Sequence, residues 1–187
     1  MRKSGILLPV SSLPSAYGIG CFSGEAYEFI DKLKAAGQSY WQILPLGPTS
    51  YGDSPYQSFS SFAGNPYFIS LDELVEDGYL TREDCTSCDF GDNEEYVDYE
   101  KLYKNRFLLL RKAYENSNIQ DNGEFQSFVL ENKGWLDNYA LYMAVKTHFN
   151  NTCWVEWDED IKLRKPEAVK KYQKEYADEV EFYQFQQ

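Results

Sequence analysis

The chain is poor in the groups that most often carry chemistry. It holds one histidine, His148, and four scattered cysteines, Cys21, Cys85, Cys88 and Cys153. Cys85-x-x-Cys88 is half of a zinc site, and no second Cys/His pair at metal spacing follows it. The thiols therefore read as incidental, in a reduced cytoplasmic protein. Positive charge is scarce: 18 Lys and Arg stand against 30 Asp and Glu, a net charge of −12. Such a chain repels phosphate backbones and anionic lipid, which disfavours nucleic-acid and membrane partners. No apolar run approaches the length of a membrane span. Gly5 to Val10 follows Met1-Arg-Lys like the start of a signal peptide, but it is too short, and Pro9 and Ser11-Ser12 interrupt it. G-x-S-x-G, the Walker loop and G-x-G-x-x-G are all absent. Tyr17-Gly-Ile-Gly20 is too short and too aromatic to cradle phosphate. No pair of acidic residues has a spacing that demands catalysis; Glu94-Glu95 and Asp158-Glu159-Asp160 read as solvated faces or turns. His148, near a helix end, reads as a packing or dipole-complementing residue.

Aromatics are plentiful instead: sixteen tyrosines, twelve phenylalanines and four tryptophans in 187 residues. The length suits a domain with a sizeable core, and the 43% hydrophobic content is ordinary for a globular chain. Tyrosine buries a ring and keeps a hydroxyl for bonding, which suits both wet cores and sugar surfaces.

Gly5 to Val10 reads as a strand covered on both faces, with Pro9 tolerated near its end. Ser11 to Gly20 is a turn-rich loop. Ser23 can cap a helix whose stripe is Ala26, Phe29, Ile30 and Leu33, ended by Gly37. Tyr40 to Leu46 is the next strand. The order strand, helix, strand describes a βαβ unit with parallel strands, whose functional loops lie at the strands' C-terminal ends. From Gly47 to Pro66 the chain then runs about twenty residues without periodicity, a length that in an ordered domain is usually functional. Pro48, Pro55 and Pro66 stiffen it; Gly47, Gly52 and Gly64 let it turn.

This loop offers Tyr51, Asp53, Ser54, Tyr56, Gln57, Ser58 and Asn65. Flat rings beside short hydrogen-bonding groups suit a pyranose, which has an apolar C–H face and a rim of hydroxyls. The same residues also suit a surface loop whose rings pack inward and whose Ser and Asp close turns. Both readings stand on the residues alone.

Beyond it the composition turns helical and acidic. Tyr67 to Leu71 reads as a short extended segment, Leu71 to Gly78 as a brief helix, and Thr81 to Asp84 as a capping-box start. Cys85 to Glu95 reads as loop. Asp98 caps a helix to about Tyr114; Phe125, Phe128 and Val129 mark another, and Trp135 to Phe149 a third. Pro166 opens one last helix, with Val169, Tyr172, Tyr176, Val180 and Tyr183 on one face. It stops at Gln187 with no cap, as if the chain were cut.

Leu8-Pro-Val-Ser-Ser-Leu-Pro14, Tyr17-Gly-Ile-Gly20, Tyr40-Trp-Gln-Ile-Leu-Pro-Leu-Gly-Pro-Thr49, Tyr51-Gly-Asp-Ser-Pro-Tyr-Gln-Ser-Phe59 and Phe62-Ala-Gly-Asn-Pro-Tyr67 together resemble the amylomaltases. These are the 4-α-glucanotransferases of glycoside hydrolase family seventy-seven. The resemblance runs from about Ser4 to Gln187 and is densest in the first 75 residues. It implies an α/β fold: the start of an eight-stranded (β/α) TIM barrel over 1–75, then a mostly helical inserted subdomain over 76–187. It implies transfer of α-1,4-glucan segments (maltooligosaccharides, amylose) in the cytoplasm, without metal or organic cofactor and with no partner protein. The chemistry would be a retaining double displacement in which an Asp attacks the anomeric carbon and a Glu protonates the leaving oxygen. Those carboxylates would lie beyond this chain, which alone would be inactive. By position Tyr56 would stack on the sugar at the cleavage point, Ser54 would line the acceptor subsite, and Asp53 would shape the loop. Tyr51 and Tyr103 would grip glucan at a second groove. A non-catalytic glucan-binding module and a retaining hydrolase of the α-amylase clan are the rival readings.

Overall fold

A computed structural model describes every residue except Met1, Tyr51 and Glu94. The chain packs as two units, Met1–Ser117 and Asn118–Gln187.

The first unit opens on the expected β1–α1–β2 motif: β1 is Gly5–Leu7, α1 is Gly24–Ala35 and β2 is Tyr40–Gln42. The strands pair in parallel, Gly5 opposite Tyr40 and Leu7 opposite Gln42. Gly5 is required by close approach, since a Cβ there would lie 2.5 Å from the Tyr40 carbonyl oxygen. Both strands are shorter than the apolar runs suggest. Pro9 and Pro45 lack the N–H that a ladder needs, and Val10–Ser12 coils into a 3-10 turn. The strand residues are also largely exposed rather than covered on both faces. Two strands and one helix supply cover on one side only, where Val10, Leu13 and Ala26 form a core with Phe29, Trp41 and Phe68. The Trp41 indole N–H ties that core to the strands by donating to the Leu8 carbonyl, 2.8 Å away.

Helix α1 ends as its sequence demands, with Gly37 in the left-handed region at φ +70°. Its start differs. Ser23 occupies the cap position but makes no side-chain bond to the helix N–H groups; its hydroxyl donates to Glu25. Helices α2, Leu71–Glu76, and α3, Arg82–Thr86, are capped by Ser70 and Thr81. The Thr81 capping box closes with Asp84 in both directions. Residues 82–86, partly assigned to loop, are thus helical. Tyr67, expected in an extended segment, lies in the 3-10 turn Pro66–Phe68, where the Asn65 side chain accepts from its N–H.

Helix α4, Tyr99–Ser117, begins where Asp98 accepts from the Lys101 N–H. Its apolar stripe hides one charge: Arg106 is 0% exposed. Its guanidinium donates to the Ile69 carbonyl, while burial pulls its pKa below the ordinary value. A cation so placed tethers the exit of the long loop to α4.

The second unit is helical: α5 Gly123–Glu131, α6 Lys133–His148, α7 Glu159–Lys162, α8 Pro166–Glu175 and α9 Ala177–Gln186. Leu141, Val145, Trp157, Ile161 and Tyr172 make its core, with the Phe149 ring stacked on Trp157 at 5.7 Å. The single last helix read from the sequence is two helices. Tyr176, at ψ +34°, breaks it. The break lets α8 cover the Trp157 cluster while α9 runs beside α6, where Thr147 and Tyr183 share a hydrogen bond of 2.6 Å. Periodicity continues through the break, because one non-helical residue leaves the apolar stripe in phase.

Candidate functional site: a braced aromatic loop

The long loop starts where β2 ends and is clipped shut at its base by the Asn65 N–H donating to the Leu46 carbonyl, at 2.8 Å. Gly47 sits against Ser58 so closely that a Cβ would meet the Ser58 Oγ at 2.4 Å. Inside the clip, serine hydroxyls replace secondary structure. Ser50 Oγ donates to the Gln57 carbonyl at 3.1 Å. Ser54 Oγ accepts from the Tyr56 N–H, and Ser58 Oγ bonds both the N–H and the carbonyl of Ser60. Ser60 Oγ in turn accepts from the N–H groups of Phe62 and Ala63. Such local side-chain bonds let an irregular backbone hold one shape.

Gly52 and Asp53 both take positive φ, +86° and +51°. Aspartate tolerates the left-handed region better than most residues. Thr49 Oγ1 donates to its Oδ1 at 3.2 Å. This turn aims Asp53 inward, into a cavity of about 40 Å³ also lined by Ser11, Thr49, Asn65, Tyr67 and Tyr99. Ser11 belongs to the loop after β1 and Asp53 to the loop after β2, so the two loops singled out by the sequence meet here. Burial chiefly, and then the nearby Asp53 carboxylate, raise the Tyr67 and Tyr99 hydroxyls above their ordinary pKa. Both phenols therefore stay protonated and able to donate.

Two of the loop's rings are open to solvent instead. Tyr56 is 73% exposed and Phe62 72%. Tyr56 therefore lies at the surface rather than under packed side chains. Ser54 fixes the backbone of Tyr56 and is half-buried. Tyr103 stands on α4 one turn after Tyr99, hence on the same face; it is 55% exposed and its ring packs on Phe107 at 5.4 Å. Tyr51 lies outside the described residues. Asp53, Ser54 and Tyr56 are thus brought together on one loop, whereas Thr49, Tyr67 and Tyr99 were not foreseen as its supports. The Thr49-x-x-x-Asp53 spacing across Gly52 was the available signal for Thr49. Nothing local marks Tyr67 or Tyr99. Among the described residues no three His, Cys, Asp or Glu side chains converge on a metal position, and all four cysteines are free thiols.

The sequence profile of the 4-alpha-glucanotransferase family matches residues 8–187. The chain belongs to that family. It is 53% identical over 178 residues to the 4-alpha-glucanotransferase of Clostridium butyricum, covering 95% of this chain and 37% of the relative. It is 49% identical over 188 residues to that of Streptococcus pneumoniae, again covering 37% of the relative. Among solved structures, the amylomaltase from Streptococcus agalactiae in complex with acarbose superposes with a TM-score of 0.94 at 39% identity. That match takes in 100% of this chain and 38% of the amylomaltase. The chain therefore spans a little over a third of the length of these family members.

Proposed function

We propose that the whole protein is a 4-α-glucanotransferase that moves α-1,4-glucan segments between maltooligosaccharide or amylose chains. The observation that carries this reading is the exposed Tyr56 ring on a braced, family-matching loop at the C-terminal end of a parallel strand. Residues 1–75 contribute the first βα units of a TIM barrel, and 76–187 the inserted helical subdomain. The open faces of β1 and β2 support this, since parallel strands are ordinarily covered on both sides. Tyr56 stacks on the sugar at the cleavage point, Ser54 lines the acceptor subsite, and Asp53 shapes the loop between them. Tyr51 and Tyr103 grip longer glucans outside the centre. The nucleophilic Asp and the acid Glu of a retaining double displacement come from later barrel strands, outside these 187 residues. The work is done in the cytoplasm without a cofactor.

The whole protein incubated with maltotriose should yield glucose and a ladder of longer glucans. Glucose and maltose alone would instead mark a hydrolase, and binding without any turnover a glucan-binding module.

A further inference from the structure

We propose that Phe62 is a second stacking ring for the glucan, on the same loop as Tyr56, so that the loop holds at least two sugar units. This deepens the reading of the Tyr56 loop as a glucan site and rests on it. Three observations carry it. First, Phe62 and Tyr56 are held in the same way. Each ring follows, two residues on, a serine whose hydroxyl accepts from the ring residue's own N–H: Ser54 for Tyr56 and Ser60 for Phe62. Second, both rings are open. Asp53 and Pro55 line the inner cavity, while Tyr56 and Phe62 are both more than 70% exposed. A rigid backbone that holds apolar rings in water has forgone their burial. A ligand face recovers it. Third, the segment that carries both rings is uncharged. From Ser54 to Leu71 no side chain carries charge, in a chain where 26% of residues do. An uncharged segment of rings and hydroxyls matches a neutral polyol, whose C–H faces stack and whose rim takes the serine and amide groups. A peptide or polyanion would call for charge here.

The test is the binding of maltoheptaose to the full chain, by titration calorimetry, with Tyr56→Ala, Phe62→Ala and Phe62→Leu in parallel. Circular dichroism checks the fold of each variant. Phe62→Ala should weaken binding by about 10-fold, the ring's share of burial. Phe62→Leu should weaken it nearly as much, because leucine keeps the apolar volume but not the flat face. Where Phe62→Ala fails to fold, Phe62→Leu carries the test. If Tyr56→Ala weakens binding while Phe62→Leu binds like the parent, Phe62 is a packing residue; the inference is overturned and the Tyr56 reading stands. If the parent does not bind, or Tyr56→Ala binds equally well, the glucan reading of the loop itself fails.

Discussion

The two units use the same side chains to opposite ends. In the second, Trp157, Phe149, Tyr142 and Tyr172 stack on one another inside a helical core, with Tyr172 only 6% exposed. In the first, the loop after β2 spends its prolines, glycines and serines on a fixed backbone and leaves Tyr56 and Phe62 in water. Aromatic enrichment therefore has two causes in one chain. One set of rings fills a helical core, and the other is held at the surface of a braced, irregular loop.

The sharpest break of this contrast is the pair Trp157→Ala and Tyr56→Ala. Removing the Trp157 ring should destabilise the second unit by about 3–5 kcal/mol, since the indole leaves a cavity among its neighbours. Urea unfolding monitored by circular dichroism measures this. Tyr56→Ala should leave the unfolding midpoint nearly unchanged but lower the turnover of the whole protein by about 10-fold, because binding contacts away from the reacting atoms assist the chemical step. Equal losses of stability in the two variants would erase the distinction between core ring and site ring.

Within the first unit, Tyr103→Ala should spare turnover of maltotriose and alter only the action on long amylose. Comparing the two substrates in one assay decides it, and equal damage to both would remove Tyr103 from an outer groove.

The smallest effect concerns what the units share. Each has a tyrosine hydroxyl donating to a carboxylate, Tyr17 to Asp72 at 3.0 Å and Tyr172 to Asp158 at 3.2 Å. Burial first, then that bond to an anion, push both phenols up from 10.0 to about 12. A folded-state pKa above the unfolded one means that the protonated form supports the fold. That support is complete below about pH 10 and is lost as pH rises through 12. Tyr17→Phe and Tyr172→Phe should each flatten part of the alkaline fall in the urea midpoint, and unchanged slopes would place the loss elsewhere.

Much of this was legible locally. The Thr81–Asp84 capping box, the Asp98 cap and the Gly37 stop are set by neighbours within one turn, so a few residues suffice to specify them, and the strand–helix–strand order follows from three short runs read in sequence. The loop's rings and hydroxyls were equally visible, but their direction was not. Burial is a relation between residues distant in sequence, and the same Ser and Asp serve a turn or a ligand. Arg106 shows the limit best. Its position on the α4 stripe is periodic, but an arginine there reads as a surface charge until the fold closes over it.

By itself the sequence determined the family, the order of elements and the chemistry available in the loop, because these depend on residue type and short-range spacing. The tertiary structure alone decided that Asp53 turns inward toward Tyr67 and Tyr99, that Tyr56 and Phe62 turn outward, and that the last helix breaks at Tyr176. Each of these is settled by packing and hydrogen bonding across many residues, and in an aperiodic loop no local pattern encodes which side of the backbone meets water.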